Sequence, residues 1–159
     1  MKNLVKLLII LIALFTISQN YSQGNIPFKI IKKLPVIEVL VNGKQAYLLI
    51  DTGASISLLD ASSAKYFDFY TYEVDDPNFS SIGGVGGSQK VERVKDFEIT
   101  VDGVVLDAFD YATNLNAARS VRGVVGILGS DYLAKHGYVV DFVNNQLRKL
   151  SPQNLVVAN

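Results

Sequence analysis

The chain has 159 residues and no cysteine. Disulfides, thiolate catalysis and cysteine-ligated metal sites are therefore excluded. It has a single histidine, His136, so a Ser-His-Asp triad would have one possible base. That residue lies in Ala134-Lys135-His136-Gly137, which reads as a helix end, where an imidazole near the last carbonyls suits the helix dipole. Excess charge is also missing, because 15 Lys and Arg balance 15 Asp and Glu. With no basic stripe, there is no electrostatic case for nucleic-acid binding.

The apolar run Leu7–Phe15 is short for a membrane-spanning helix. Lys2 and Lys6 come before its core and Ser18-Gln19-Asn20 follow, which is the pattern of a secretory signal. Residues 1–23 are expected to be a signal peptide, or an N-terminal membrane anchor if uncleaved. No cysteine follows for lipid attachment. The expected location is secreted, periplasmic or cell-envelope, with membrane contact only through an uncleaved leader. Residues 24–159 are expected to form a single domain, slightly acidic once the two leading lysines are removed.

Leu34 to Val41 is rich in branched residues and alternates around Glu38, so it reads as a strand. Asn42-Gly43 is a two-residue hairpin signal, and Gln45 to Ile50 returns as the second strand. Asp60 is placed to cap a short helix over Ala61 to Lys65. Tyr66 to Pro77 has no clear period and reads as an irregular connection or part of a strand. Phe79 to Val94 reads as a hairpin with a glycine-rich tip. Phe97, Ile99 and Val101 alternate with polar residues, Asp102-Gly103 turns, and Val104 to Tyr111 returns. Asn114 to Arg122 reads as a loop and Gly123 to Leu128 as a buried strand. Ser130 is expected to cap a helix over Asp131 to Lys135, with Gly137 ending it. Tyr138 to Val143 and Gln146 to Leu150 form a final hairpin, with a loose tail after Ser151. Strand, turn, strand, glycine-containing loop and short helix occur in sequence twice.

Leu48-Leu49-Ile50-Asp51-Thr52-Gly53-Ala54-Ser55 carries an aspartate to the end of an apolar strand and into a glycine turn. Aspartate is a poor strand residue. A carboxylate fixed at such a partly desolvated point suits acid–base chemistry. The plainer reading is a turn residue that bonds nearby backbone N–H groups. Gly83-Gly84-Val85-Gly86-Gly87 could be a flexible linker. As a phosphate cradle it fails on context, since no Gly-Lys-Ser/Thr follows and no helix opens.

Three separated segments, in order, resemble the retropepsin-like aspartic proteases, of the bacterial, secreted or membrane-anchored type. Leu49 to Ser55 is like the catalytic loop. Gly83 to Gly87 is like the flap tip, and Val124-Val125-Gly126-Ile127-Leu128-Gly129 is like the motif before the family's helix. The resemblance covers about Leu34 to Leu150. It implies an all-β, half-barrel acid-protease fold with a glycine-rich flap hairpin and one or two short helices. It implies a homodimer that pairs Asp51 from each chain, because only one Asp-Thr-Gly is present. Two close carboxylates sharing one proton, as in aspartic proteases, would then activate water against a peptide or protein substrate with no metal or other cofactor. Thr52 would bond across the dimer, and Gly53 would let backbone approach the carboxylates. Ser55 would support the loop or be an ordinary turn serine. Gly83, Gly84, Val85 and Gly86 would close over substrate, and Ile127 would line a pocket near the scissile bond or else pack in the core. Leu128 is expected in the core. Asp131 reads as a first-turn helix acid. The rival reading is a non-catalytic peptide-binding or assembly module on the same fold. A heterodimer, with a different chain supplying the second aspartate, is a third.

Overall fold

The structure is a computed structural model; residues 24–75, 81–84, 87–115 and 121–150 are described. The signal or anchor over 1–23, the flap-tip residues Val85 and Gly86 and the tail from Ser151 lie outside them.

Local turn chemistry sets the hairpins. β1 (Ile26–Pro27) and β2 (Lys29–Ile31) lead to β3 (Leu34–Val41), which pairs antiparallel with β4 (Lys44–Ile50) from Val41↔Lys44 to Val36↔Leu49. Their connection is Asn42-Gly43, with φ 47° and 76°, the backbone that a tight twisted hairpin demands. Asp102-Gly103 does the same, at φ 48° and 79°, between β10 (Ile99–Val101) and β11 (Val104–Val105). Both turns agree with the sequence reading. β2 and β3 are joined by Lys32-Lys33 at φ 50° and 68°, a turn of the same sense with no glycine or asparagine to signal it.

β5 (Leu58–Asp60) runs into a 3₁₀ turn (Ala61–Ser63) and α1 (Ala64–Phe67). Asp60 accepts from Ser62 N–H at 3.2 Å, so the cap sits where the sequence placed it. The helical segment outlasts Lys65 and stops at Asp68, which is left-handed at φ 57°. The stretch from Tyr66 then yields β6 (Tyr70–Glu73), an edge strand. β7 (Ser81–Gly84) and β8 (Gly87–Lys90) form their own hairpin, and β9 (Glu92–Lys95) returns to the main sheet beside β6. The return strand expected over Val104 to Tyr111 is instead the short β11 and a separate β12 (Tyr111–Thr113), paired with β5 and β9.

β13 (Val124–Leu128) leads into α2 (Ser130–His136). Gly137, at φ 67°, ends α2 as expected, but its N-cap is Gly129, not Ser130, which is the first helical residue. His136 lies in the last turn, with Nε2 2.8 Å from Asp107 Oδ1. Lys135 also bonds Asp107 and, first among the causes, holds that carboxyl below its usual range. β14 (Tyr138–Asp141) and β15 (Gln146–Lys149) form the last hairpin. β14 stops before Val143 because the Asp141 carboxylate accepts from Val143 and Asn144 N–H, closing a turn.

The main sheet has the order β11-β10-β3-β4-β13-β5-β12-β9-β6, with β2 also on β3. A smaller sheet has the order β1-β15-β14. One apolar cluster joins Ile37 and Val41 of β3, Leu48 of β4, Leu128 of β13, Leu133 of α2 and Leu147 of β15. The terminal sheet and α2 thus share a core with the large sheet. This is the all-β, two-short-helix architecture that the sequence motifs imply.

Gly126 on β13 is packed from both sides. A Cβ there would lie 2.5 Å from the Leu58 carbonyl oxygen and 3.1 Å from Leu48 Cδ2. Gly126→Ala is expected to lower stability by about 1–3 kcal/mol through overpacking, read as a lower urea midpoint at unchanged slope. Tyr132, buried under α2, has its phenol pKa pushed up to about 12, chiefly by burial, then by Tyr138 and Asp107. The folded state therefore favours the neutral phenol. That stabilisation is complete below the ordinary value of 10.0 and fades as pH rises through about 12. Urea titrations at high pH should show Tyr132→Phe losing less stability than the parent across that window.

Candidate active site

Asp51 follows β4 directly, and the β4–β13 ladder carries on to it. Leu49 pairs with Ile127 and Ile50 with Leu128, and Asp51 N–H then donates to Leu128 O at 3.1 Å. The chain leaves β4 on one side of β13 and comes back as β5 on the other, pairing Leu58 with Ile127 and Leu59 with Gly126. The loop carrying Asp51 must therefore cross the end of β13. It crosses at Gly129, where a Cβ would stand 2.7 Å from the carbonyl carbon and oxygen of Ile56. No side chain fits there without moving backbone.

A set of hydrogen bonds fastens this crossing. Ala54 O accepts from Ser130 N–H at 2.8 Å and from Ser130 Oγ at 2.9 Å. The Asp131 carboxylate accepts from Ser57 N–H at 3.0 Å and from Ser57 Oγ at 2.7 Å. Ser57 Oγ in turn accepts from Gly129 N–H at 2.9 Å. Ser57 is 1% exposed, so these bonds form away from water and are costly to break. Asp131 does lie in the first helical turn, yet its carboxylate serves the loop rather than only the helix dipole. Ser57 and Ser130 hold the loop; the exposed Ser55 makes no hydrogen bond among the described residues.

Within the loop, Gly53 N–H donates to Asp51 Oδ1 at 2.9 Å and Ala54 N–H to Asp51 O at 3.1 Å. The turn reading of Asp51 is thus correct for one oxygen. Oδ2 has no hydrogen-bond partner among the described residues, and Asp51 is half-buried. Thr52 and Gly53 are exposed. A Cβ at Gly53 would come within 3.2 Å of Asp51 Oδ1, which is why the smallest residue suits the position.

The glycine hairpin pairs Ile82 with Gln89, Gly83 with Ser88 and Gly84 with Gly87. Neither strand joins another sheet among the described residues. Gly83 is exposed. Ile82 packs in a small apolar cluster with Leu58, Leu115, Ile56, Tyr111, Val124 and Ile127. Ile127 is half-buried there, facing away from the main core, while its neighbour Leu128 is wholly buried inside it. The structure therefore brings Ile127 and the hairpin base together on the strand that flanks Asp51. A polar cavity of about 560 Å³, bounded by Ala61, Ser62, Gln89, Lys90, Glu92, Thr113 and Asn114, lies elsewhere and does not include Asp51. Among the described residues no group of His, Asp and Glu could hold a metal ion.

The model of the gag-polyprotein putative aspartyl protease family matches residues 37–135, well over half of the chain. The chain belongs to this family. The match spans the Asp51 loop, the glycine hairpin and β13. Similar solved structures include the EIAV protease in complex with the inhibitor HBY-793, at 25% identity over 66% of this chain and 89% of that one, TM-score 0.49. A retropepsin-like aspartic protease from Rickettsia conorii is 17% identical over 78% of this chain and 87% of that one, TM-score 0.48. The retroviral protease-like domain of Ddi1 from Leishmania major is 17% identical over 76% and 96%, TM-score 0.46. No curated protein matches the chain.

Ser57→Ala removes the hydroxyl shared by Asp131 and Gly129 N–H. It is expected to cost about 1–3 kcal/mol, because buried groups lose their partners. Denaturant unfolding checks the loss, and Ser57→Thr should recover much of it.

Proposed function

We propose that this aspartyl protease family member is an endopeptidase in which two copies of Asp51, one from each chain of a homodimer, activate a water molecule. The placement of Asp51 carries the reading. Backbone and clamp fix the loop, one carboxylate oxygen is held by Gly53 N–H, and the other has no hydrogen-bond partner among the described residues. Thr52 and Gly53 beside it are exposed and available to a facing loop.

Like charges a few ångströms apart resist double ionisation, so the pair holds one proton between them. The ionised carboxylate takes a proton from water as the water oxygen attacks the peptide carbonyl carbon. The protonated carboxyl gives its proton to the carbonyl oxygen. As the tetrahedral intermediate collapses, the C–N bond breaks, the leaving nitrogen receives the proton taken from water, and one hydroxyl of the intermediate returns its proton to the other carboxylate, so the pair ends with one proton as it began. Thr52 would bond across the axis and steady the pair. Gly83, Gly84, Val85 and Gly86 would close over an extended peptide bound as an added strand. Ile127 would meet a substrate side chain beneath that hairpin. The chemistry calls for no cofactor. The leader over residues 1–23 would direct the chain out of the cytoplasm, leaving residues 24–159 as the working domain.

Asp51→Asn should lower cleavage of a peptide library by at least about 10²–10⁴-fold while circular dichroism and dimer mass stay as in the parent. Cleavage by the Asn variant at the parental rate would refute the mechanism. A parent that cleaves nothing from acidic to neutral pH would instead support a peptide-binding module.

A further inference from the structure

The apolar patch beneath the glycine hairpin belongs to a longer row of side chains. Ile127 of β13 pairs with Leu58 of β5, and Tyr111 of β12 packs beside Leu58. Tyr111 pairs in turn with Arg93 of β9, and Arg93 with Tyr72 of β6 at the edge of the sheet. Direct cross-strand partners share a face. Their neighbours Leu59, Ala112 and Val94 point the other way, into the main core. Adjacent strands thus carry Ile127, Leu58, Tyr111, Arg93 and Tyr72 in file across one face, starting beside the Asp51 loop.

The chemistry changes along this row. Leu58 is buried, and Ile127 and Tyr111 are half-buried. Arg93 is exposed, with its guanidinium carbon 5.2 Å from the centre of the Tyr111 ring. A guanidinium seated on a ring keeps its N–H edge for a carboxylate. Lys95, two residues on along β9, is exposed on the same face. Neither cation makes an ion pair among the described residues. The strand carboxylates Glu73 and Glu92 oppose each other on the other face, and Glu73 is ion-paired to Lys90. A cavity of about 400 Å³ opens beside Arg93, bounded also by Tyr72, Glu73, Val74 and Asp75. Asp75, past the end of β6, is the opposing charge in its wall.

We propose that Arg93, seated on Tyr111 and flanked by Tyr72, selects an acidic side chain of the substrate at a fixed distance from the cleaved bond. The inference rests on the endopeptidase reading and adds a specificity-determining residue to it. Neighbouring strands stand about 4.8 Å apart, so three strand steps separate Ile127 from Arg93 by roughly 14 Å. An extended peptide advances about 3.3 Å per residue and spans that distance in about four residues. An even count returns the side chain to the face on which it began. A substrate residue resting on Ile127 therefore sets the residue about four positions away against Arg93. A homodimer presents the row twice, so the preference recurs on either side of the cleaved bond.

Paired peptides that carry Glu or Gln at each position in turn test this. For the parent, Glu at one position on each flank should raise kcat/KM about three- to tenfold over Gln. The gain should lie in KM rather than kcat and shrink in high salt. Arg93→Gln should erase it, and Arg93→Glu should transfer it to Lys at the same position. Lys65→Gln, which removes an exposed cation of α1 outside the row, should leave it in place. If Arg93→Gln lowers the urea midpoint but leaves the Glu preference intact, the row is only a cross-strand ladder. The proposal then falls while the endopeptidase reading stands, and a cleaving parent with no Glu preference at any position has the same meaning. If the parent cleaves nothing, fluorescence anisotropy of the same labelled peptides decides. Glu-selective binding that Arg93→Gln abolishes would uphold the acidic site without catalysis, and unselective binding would remove both.

Discussion

The structure around Asp51 depends on the clamp across the end of β13. A loop that steps over a buried strand has main-chain groups it cannot leave unpaired. Here Ser130 and Gly129 supply backbone donors, and the Asp131 carboxylate takes both the N–H and the hydroxyl of Ser57. Hydrogen bonds to a charged acceptor are among the stronger kind, and burial of Ser57 keeps water from competing. Because the loop and α2 share these bonds, the position of Asp51 is tied to that of the helix. Gly129 completes the arrangement by removing the side chain that would collide with the crossing backbone at Ile56.

Much of this was legible in the chain itself. Asn42-Gly43 and Asp102-Gly103 announce hairpins through residues that tolerate positive φ, and both occur. The Asp51 loop, the glycine hairpin and the β13 motif are local signals with local causes. The apolar character of Leu128 led correctly to the core. What escaped notice is long-range or carries a weak local signal. Ser57 and Asp131 are 74 positions apart, so no periodicity joins them. Asp131 in a first turn has a sufficient local reason, which hid its larger role. Ser130 looks like a cap by composition, yet the helix begins one residue earlier than that rule suggests because its hydroxyl is engaged by Ala54. Lys32-Lys33 turns without glycine, under the direction of the strands on either side.

The insertion of β13 between β4 and β5 was also beyond sequence reasoning. Composition marked β4 and β13 as strands but could not order them, and it gave no strand for β5. The order matters because it places the half-buried Ile127 and the Asp51 loop on neighbouring strands. It also explains how the Asp51 loop and an apolar patch under the hairpin can come from segments far apart in the chain.

The attachment of the glycine hairpin has a kinetic meaning. Its far end is fixed, since Thr113 Oγ1 donates to Lys90 O and Val91 is buried just beyond. One pair in from that end, the side chain of Ile82 rests on the small apolar cluster. Half-burying an isoleucine contributes roughly 1 kcal/mol. Among the described residues, freeing that contact therefore costs little more than thermal energy. Such a contact breaks and re-forms through ordinary fluctuation, with no triggering event required.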